Sequence, residues 1–240
     1  MNTLSVEQAI YTSSGRGATK GYQLVSKSAG IDRGVCQELC RWAPTRSPSE
    51  AAGDWTLNCF PIRDEFIAVT RTTIGGPEYS GRAMQVVTLI LVLRIEQLER
   101  YAFDPLSLAH TAMALGGLRL PLDLESEPLP PVFLPTDPIV LPRRHPGDAG
   151  DRGDAHADLL DQVSGLIQEG RRVAITGAAD PIASVDRLIQ RLPHDSRRRF
   201  SFSTGLEFSL QRPFQLHFLP AVDLPTQRRL DSQNIVCVRC

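Results

Sequence analysis

No part of this 240-residue sequence stays apolar for long. The richest run, Val86 to Leu93, falls well short of the ~20 residues that a helix needs to cross a bilayer. The opening MNTLSVEQAIYTS has neither a basic leader nor an apolar segment behind it, so a cytoplasmic location and no membrane partner are expected. An excess of one charge is also missing. The 26 Lys plus Arg stand against 27 Asp plus Glu, a formal net charge of -1, so no global field gathers nucleic acid or anionic lipid. Binding of that kind would need a local patch. No internal repeat is evident, and 42% hydrophobic residues suffice to build a core.

Cysteine is scarce, and its count of five is odd, which argues against a secreted disulfide framework. Cys36 and Cys40, with Cys237 and Cys240, could supply four thiolates to zinc. Against that, Cys36 and Cys40 stand one helical turn apart, a spacing that also places two small side chains on one buried face. Cys237 and Cys240 close the chain in an extended run without the glycine turn that zinc knuckles favour. Ordinary thiols and no metal are expected.

What is present opens with a β-hairpin. Val6 to Thr12 and Gly21 to Lys27 are extended runs around the small, polar SSGRGATK, and Asp32 then caps a helix with Val35, Leu39 and Trp42 on one face. A loop over Ala43 to Gly53 leads to a strand pair, Trp55 to Ile62 and Glu65 to Ile74, joined at Arg63-Asp64 and ended by Gly75-Gly76-Pro77. Arg82 to Ile95 has no polar alternation through its middle and predicts a central strand covered on both faces, with a solvated exit at Glu96, Glu99 and Arg100. Asp104-Pro105 opens a helix that Gly116-Gly117 stops. Residues 121–153, dense in proline and later in Gly and Asp, read as a surface crossing. Beyond it the pattern is α/β: helix from His156 to Gln168, strand from Arg171 to Ile175, helix from Asp180 to Leu192, strand from Phe214 to Phe218, a short helix around Thr226 to Leu230, and a last strand from Asn234 to Val238. The expected class is α+β: a mixed, mostly antiparallel sheet over residues 1–120, a linker over 121–153, and a small α/β subdomain over 154–240.

The hairpin also carries a family resemblance. Val6, Gln8, Ala9, Ile10 and Tyr11, followed by Gly21, Tyr22, Gln23, Leu24, Val25, Ser28, Gly30 and Ile31, resemble the N-terminal domain, second type, of the GTPase-associated proteins of bacterial conflict systems. Gly81 to Tyr101 and Leu192-Pro193 through Arg199 to Gly205 agree more loosely. The resemblance implies an adaptor or platform acting beside a GTPase or another component of the same gene cluster. It carries no catalytic motif that transfers to this chain.

Several constellations imitate chemistry. Gly15 to Lys20 has the flavour of a phosphate loop, but Thr19 precedes Lys20, Gly21 follows, and a strand comes next where a Walker loop needs a helix. Val173 to Asp180 imitates a dinucleotide-binding turn, yet only Gly177 of the three glycines is there, and Asp180 occupies the anion's place. Asp148, Asp151, Asp154, His156 and Asp158 could hold a hard cation, but the glycines and alanines between them indicate a solvated linker. His194, Asp195 and Ser196 are adjacent, whereas members of a catalytic triad converge from separate positions. The densest candidate is Arg197, Arg198 and Arg199 with Ser203 and Thr204, where arginine forks suit phosphate or carboxylate. A structural reading competes with it: cations at a helix C-terminus, then Phe200 and Phe202 turning inward as a strand begins.

The function expected is a non-catalytic interaction domain without a cofactor, presenting Tyr11, Tyr22 and Gln23 of the hairpin together with the arginine run, Ser203 and Thr204. Two alternatives stand beside it. One is a nucleotide- or nucleic-acid-binding module using Arg197 to Arg199. The other is a hydrolase in which His110, His194 and His217 would converge with acids and a nucleophile.

Overall fold

The hairpin is formed as its pattern predicts. Strand β1 (Thr3–Ser14) pairs antiparallel with β2 (Gly21–Lys27), with a register shift after Ile10. Asp32 caps α1 (Arg33–Trp42), its carboxylate accepting from the Val35 amide at 2.8 Å, and Val35, Leu39 and Trp42 are the residues that the helix buries. The computed structural model describes residues 2–15, 20–44, 55–78, 84–121, 124, 128–137, 153–212 and 214–240. Most of the Gly15–Lys20 tip, most of the loop after Ala43, and Asp148 and Asp151 of the acidic cluster lie outside them.

Three antiparallel strands follow: β3 (Trp55–Ile62), β4 (Phe66–Pro77) and β5 (Met84–Arg94). β4 does not end at the Gly75-Gly76-Pro77 stop. It continues to Pro77, which pairs with Met84, and the register shifts between Ile74 and Pro77, so a bulge absorbs the glycines. β5 lies between β4 and β1, and Val86 to Leu93 are all buried there, as the lack of alternation requires. A turn of helix, α2 (Ile95–Leu98), leads through a 3-10 turn to α3 (Pro105–Ala114), capped by Asp104. β6 (Val132–Pro135) then pairs with the beginning of β1.

The second half supplies α4 (Gly153–Gln168), β7 (Val173–Thr176), α5 (Pro181–Arg191), α6 (His194–Arg199), β8 (Phe202–Ser203), β9 (Leu216–Leu219), α7 (Leu224–Ser232) and β10 (Val236–Arg239). Its strands do not form a separate sheet. The order is β10-β7-β9-β8-β3-β4-β5-β1-β2, parallel from β10 to β8 and antiparallel from β8 onward, so the molecule is α+β around one mixed ten-stranded sheet.

Helices cover both faces. On one, Leu106, Leu108 and Ala109 of α3, Val163 and Ile167 of α4, and Val185 and Leu188 of α5 pack on Val87, Leu89, Leu91, Val173, Ile175 and Phe202. On the other, α1 meets Ala9, Tyr11, Phe60, Ala68, Ile90 and Val92, while Leu230 of α7 packs on Ala174 and Leu219. Trp42 locks α1 down by stacking on Phe60 at 4.6 Å and receiving Phe214 edge-on at 4.9 Å, so one aromatic cluster joins the two halves.

Candidate functional site

The residues singled out in the sequence fall in three settings. Arg197 turns inward: its Nε donates to the Leu192 carbonyl at 2.9 Å and its Nη2 to the Gln190 carbonyl at 3.3 Å, closing the C-terminal end of α5. Arg198 and Arg199 point outward. Arg198 lies 3.9 Å from the Glu96 carboxylate, an exposed pair of little consequence for stability, and Arg199 has no ion-pair partner among the described residues. Both border a groove of about 440 Å³ floored by Ile167, Gln168 and Gln215.

Ser203 and Thr204 are interior. Thr204 Oγ1 accepts from the Leu57 amide at 2.8 Å and donates to the Leu57 carbonyl at 2.9 Å, while Ser203 Oγ accepts from the Leu206 amide at 3.2 Å. These hydroxyls fasten β8 to β3 and shape the turn behind it. In the hairpin, Tyr11 is buried and stacks on half-buried Tyr22 with 6.0 Å between ring centres, and Tyr22 Oη accepts from the Val86 amide at 3.2 Å. Gln23, also half-buried, sits in β2 at the edge of the sheet. Since β2 and β8 are five strand positions apart, about 24 Å separates these groups.

Sequence reasoning missed a polar region on the α1 face, in the gap between its two apolar clusters. Register places Thr70 beside Asn58, Asn58 beside Ser203, and Ser203 beside His217, all buried. Asn58 Nδ2 donates to Thr56 and Thr70, each at 3.3 Å, and Thr72 and Thr88 share a hydroxyl hydrogen bond of 3.0 Å. Among the described residues, Ser13 Oγ, Asn58 Oδ1, Arg212 Nε and His217 Nε2 are buried without a hydrogen-bond partner. Strand register between remote segments created this belt, and no local pattern announces it.

Alongside the belt a cleft of about 290 Å³ opens between α1 and the segment leading into β9. Tyr11, Cys40, Arg41, Glu207, Phe208 and Arg212 line it. Burial pushes the Tyr11 phenol up to about 12 and lowers Arg212 from the usual guanidinium range, and partial desolvation raises the thiol of Cys40, a residue exposed over much of its surface, above its ordinary value. Burial likewise lowers His217 to about 3, with Arg172 and Arg212 adding repulsion, and the edges of Phe208 and Phe214 flank its ring.

The family model of GTPase-associated protein 1, N-terminal domain type 2, matches residues 5–130, just over half of the chain. The chain belongs to that family. This GTPase-associated domain matches no curated protein and no solved structure. The family span takes in the hairpin, α1 and the β3–β5 strands, hence Tyr11, Cys40 and Arg41. Arg212, His217, the arginine run and the looser agreement at Leu192 to Gly205 lie beyond it.

The hydrolase arrangement is not assembled from the three histidines. His217 is enclosed in β9, His194 lies against Phe103 with 4.8 Å between ring centres, and His110 is on α3. Among the described residues, His, Cys, Asp and Glu nowhere gather in threes that could hold a metal ion. The thiols are dispersed as well. Cys59 is buried, Cys36 half-buried, and Cys40, Cys237 and Cys240 exposed, so the expected burial of Cys40 on the apolar face of α1 is corrected: that face belongs to Val35, Leu39 and Trp42. Asp180 caps α5 through the Ala183 amide at 2.9 Å, and Gly177 holds φ +77°, a conformation suited to glycine in a tight turn from strand to helix.

Proposed function

We propose that this GTPase-associated domain is a non-catalytic, cytoplasmic interaction module of a bacterial conflict system, and that it docks a GTPase or another protein encoded beside it. The observation that carries the reading is the outward shelf of Arg198 and Arg199 on α6, bordering a groove with an Ile167 floor and free of any tight internal pairing. Arginine beside partly apolar surface is the composition of protein interfaces. Tyr22 and Gln23 at the β2 edge extend the proposed recognition surface. Ser203 and Thr204 serve it from inside, by fixing β8, from which α6 is presented.

Glu96 and Asp195 stand among the arginines, and such mixed charge suits a protein face better than a polyanion. Co-purification from the native host tests the role. A GTPase encoded beside this chain is expected in the purified complex and absent when the tagged chain carries Arg198→Glu and Arg199→Glu. Recovery of the chain without a GTPase or any other protein encoded beside it overturns the reading.

A further inference from the structure

The cleft between α1 and the segment before β9 is separate from the arginine shelf, and two guanidinium groups, Arg41 and Arg212, line it. Arg212 spends Nη2 on the Glu207 carbonyl at 2.9 Å, but its Nε–H is buried and has no acceptor among the described residues. A buried guanidinium donor left unpaired costs on the order of 1–3 kcal/mol, a penalty that an incoming acceptor removes. Beside it, Tyr11 keeps its proton at neutral pH, so its hydroxyl is free to donate. Cys40, held as a thiol, adds a weak donor, and Arg41 places a second guanidinium at the rim. Glu207 lines the cleft too, and its charge acts on Arg212, partly balancing the guanidinium that an incoming anion would meet.

Guanidinium, phenol and thiol donors thus meet, beside the acceptors Glu207, Ser209 and Gln211, in a recess that has an aromatic wall, Phe208, and a volume at the small end of ligand pockets. We propose that this cleft is a binding site for a small molecule bearing an oxyanion, a phosphate or a carboxylate, with Arg212 and Tyr11 holding the oxyanion and Phe208 covering the attached apolar body. Arginine suits either head group, because its planar N–H array bonds two oxygens at once. The site draws Tyr11, Cys40 and Arg41 from the family span and Arg212 from beyond it, so a ligand there would tie the two halves of the chain together.

Calorimetric titration of the full chain with phenyl phosphate and with benzoate tests this, since the two probes share a ring and differ in the oxyanion. Saturable binding of at least one is expected, weakened about tenfold by Tyr11→Phe or by Arg212→Lys, with an unchanged melting temperature. The tighter probe names the head group. Tyr11→Phe preserves shape, so it keeps the test valid if Arg212→Lys disturbs the Glu207 turn. No saturable binding of either probe up to about 10 mM, or binding undiminished in both variants, overturns the proposal. Neither result bears on the Arg198–Arg199 shelf, which these substitutions leave intact.

Discussion

His217 sits in β9 between the edges of Phe208 and Phe214, where burial favours the neutral imidazole. Above its ordinary value of 6.5 the side chain is neutral both folded and unfolded and adds no pH dependence. Below it, the unfolded chain takes up a proton that the fold refuses until about pH 3, so stability falls as pH falls through that window. The slope is at most about 1.4 kcal/mol per pH unit, or about 2 kcal/mol between pH 7 and pH 5. His217→Leu removes this term. Urea unfolding at the two pH values is expected to show the wild type losing about 2 kcal/mol more than the variant; equal losses would mean that the imidazole takes up its proton as readily in the fold as in the unfolded chain. Asp32 and Asp223, whose pKa values are lowered mainly by hydrogen bonds at their helix N-termini, titrate alike in both proteins and cancel. At this scale the sequence was a poor guide. Ser203 and Thr204 read as ligand contacts because small hydroxyls beside arginines often are, yet both are buried: the Thr204 hydroxyl bonds Leu57, 147 positions away, and Ser203 pairs with Asn58 through the strand register.

Among the elements, β8 has the largest consequence for its size. Two residues long, it joins the antiparallel and parallel halves of the sheet, and the Thr204 hydroxyl clasps Leu57 beyond its end. Thr204→Val leaves the Leu57 amide without that acceptor and is expected to cost about 1–3 kcal/mol in urea unfolding. A wild-type midpoint would show that the clasp is dispensable. α1 offers a second check. Trp42→Ala opens a cavity between Phe60 and Phe214 and is expected to destabilise by about 3–5 kcal/mol; a loss below about 1 kcal/mol would mean that the aromatic cluster does not bind the helix to the sheet.

Elements with strong local signals were legible in advance. The Asp32 cap, the unbroken apolar β5 and the proline-opened helices announce themselves within a few residues. The β4 extension through two glycines does not, because pairing with β5 overrides local propensity there. Nor does β8, too short for any periodicity. The Tyr11–Arg212 cleft was invisible for the same reason as the polar belt. Its walls are about 200 residues apart in sequence and meet only through the order of strands.

For the whole molecule, the continuous sheet makes the arginine shelf and the hairpin edge parts of one body. Arg197 must be left alone when the shelf is tested, because it closes α5 and its loss would confuse folding with recognition. Arg198 and Arg199 are exposed, and their replacement is expected to change stability by no more than about 0.5 kcal/mol. The most direct measurement is therefore the affinity of the purified chain for the partner that co-purifies with it, the proposed GTPase, with and without Arg198→Glu and Arg199→Glu, at matched ionic strength. A contact role through this shelf predicts a loss of at least about tenfold, at an unchanged melting temperature. Equal affinity of the two proteins would contradict it.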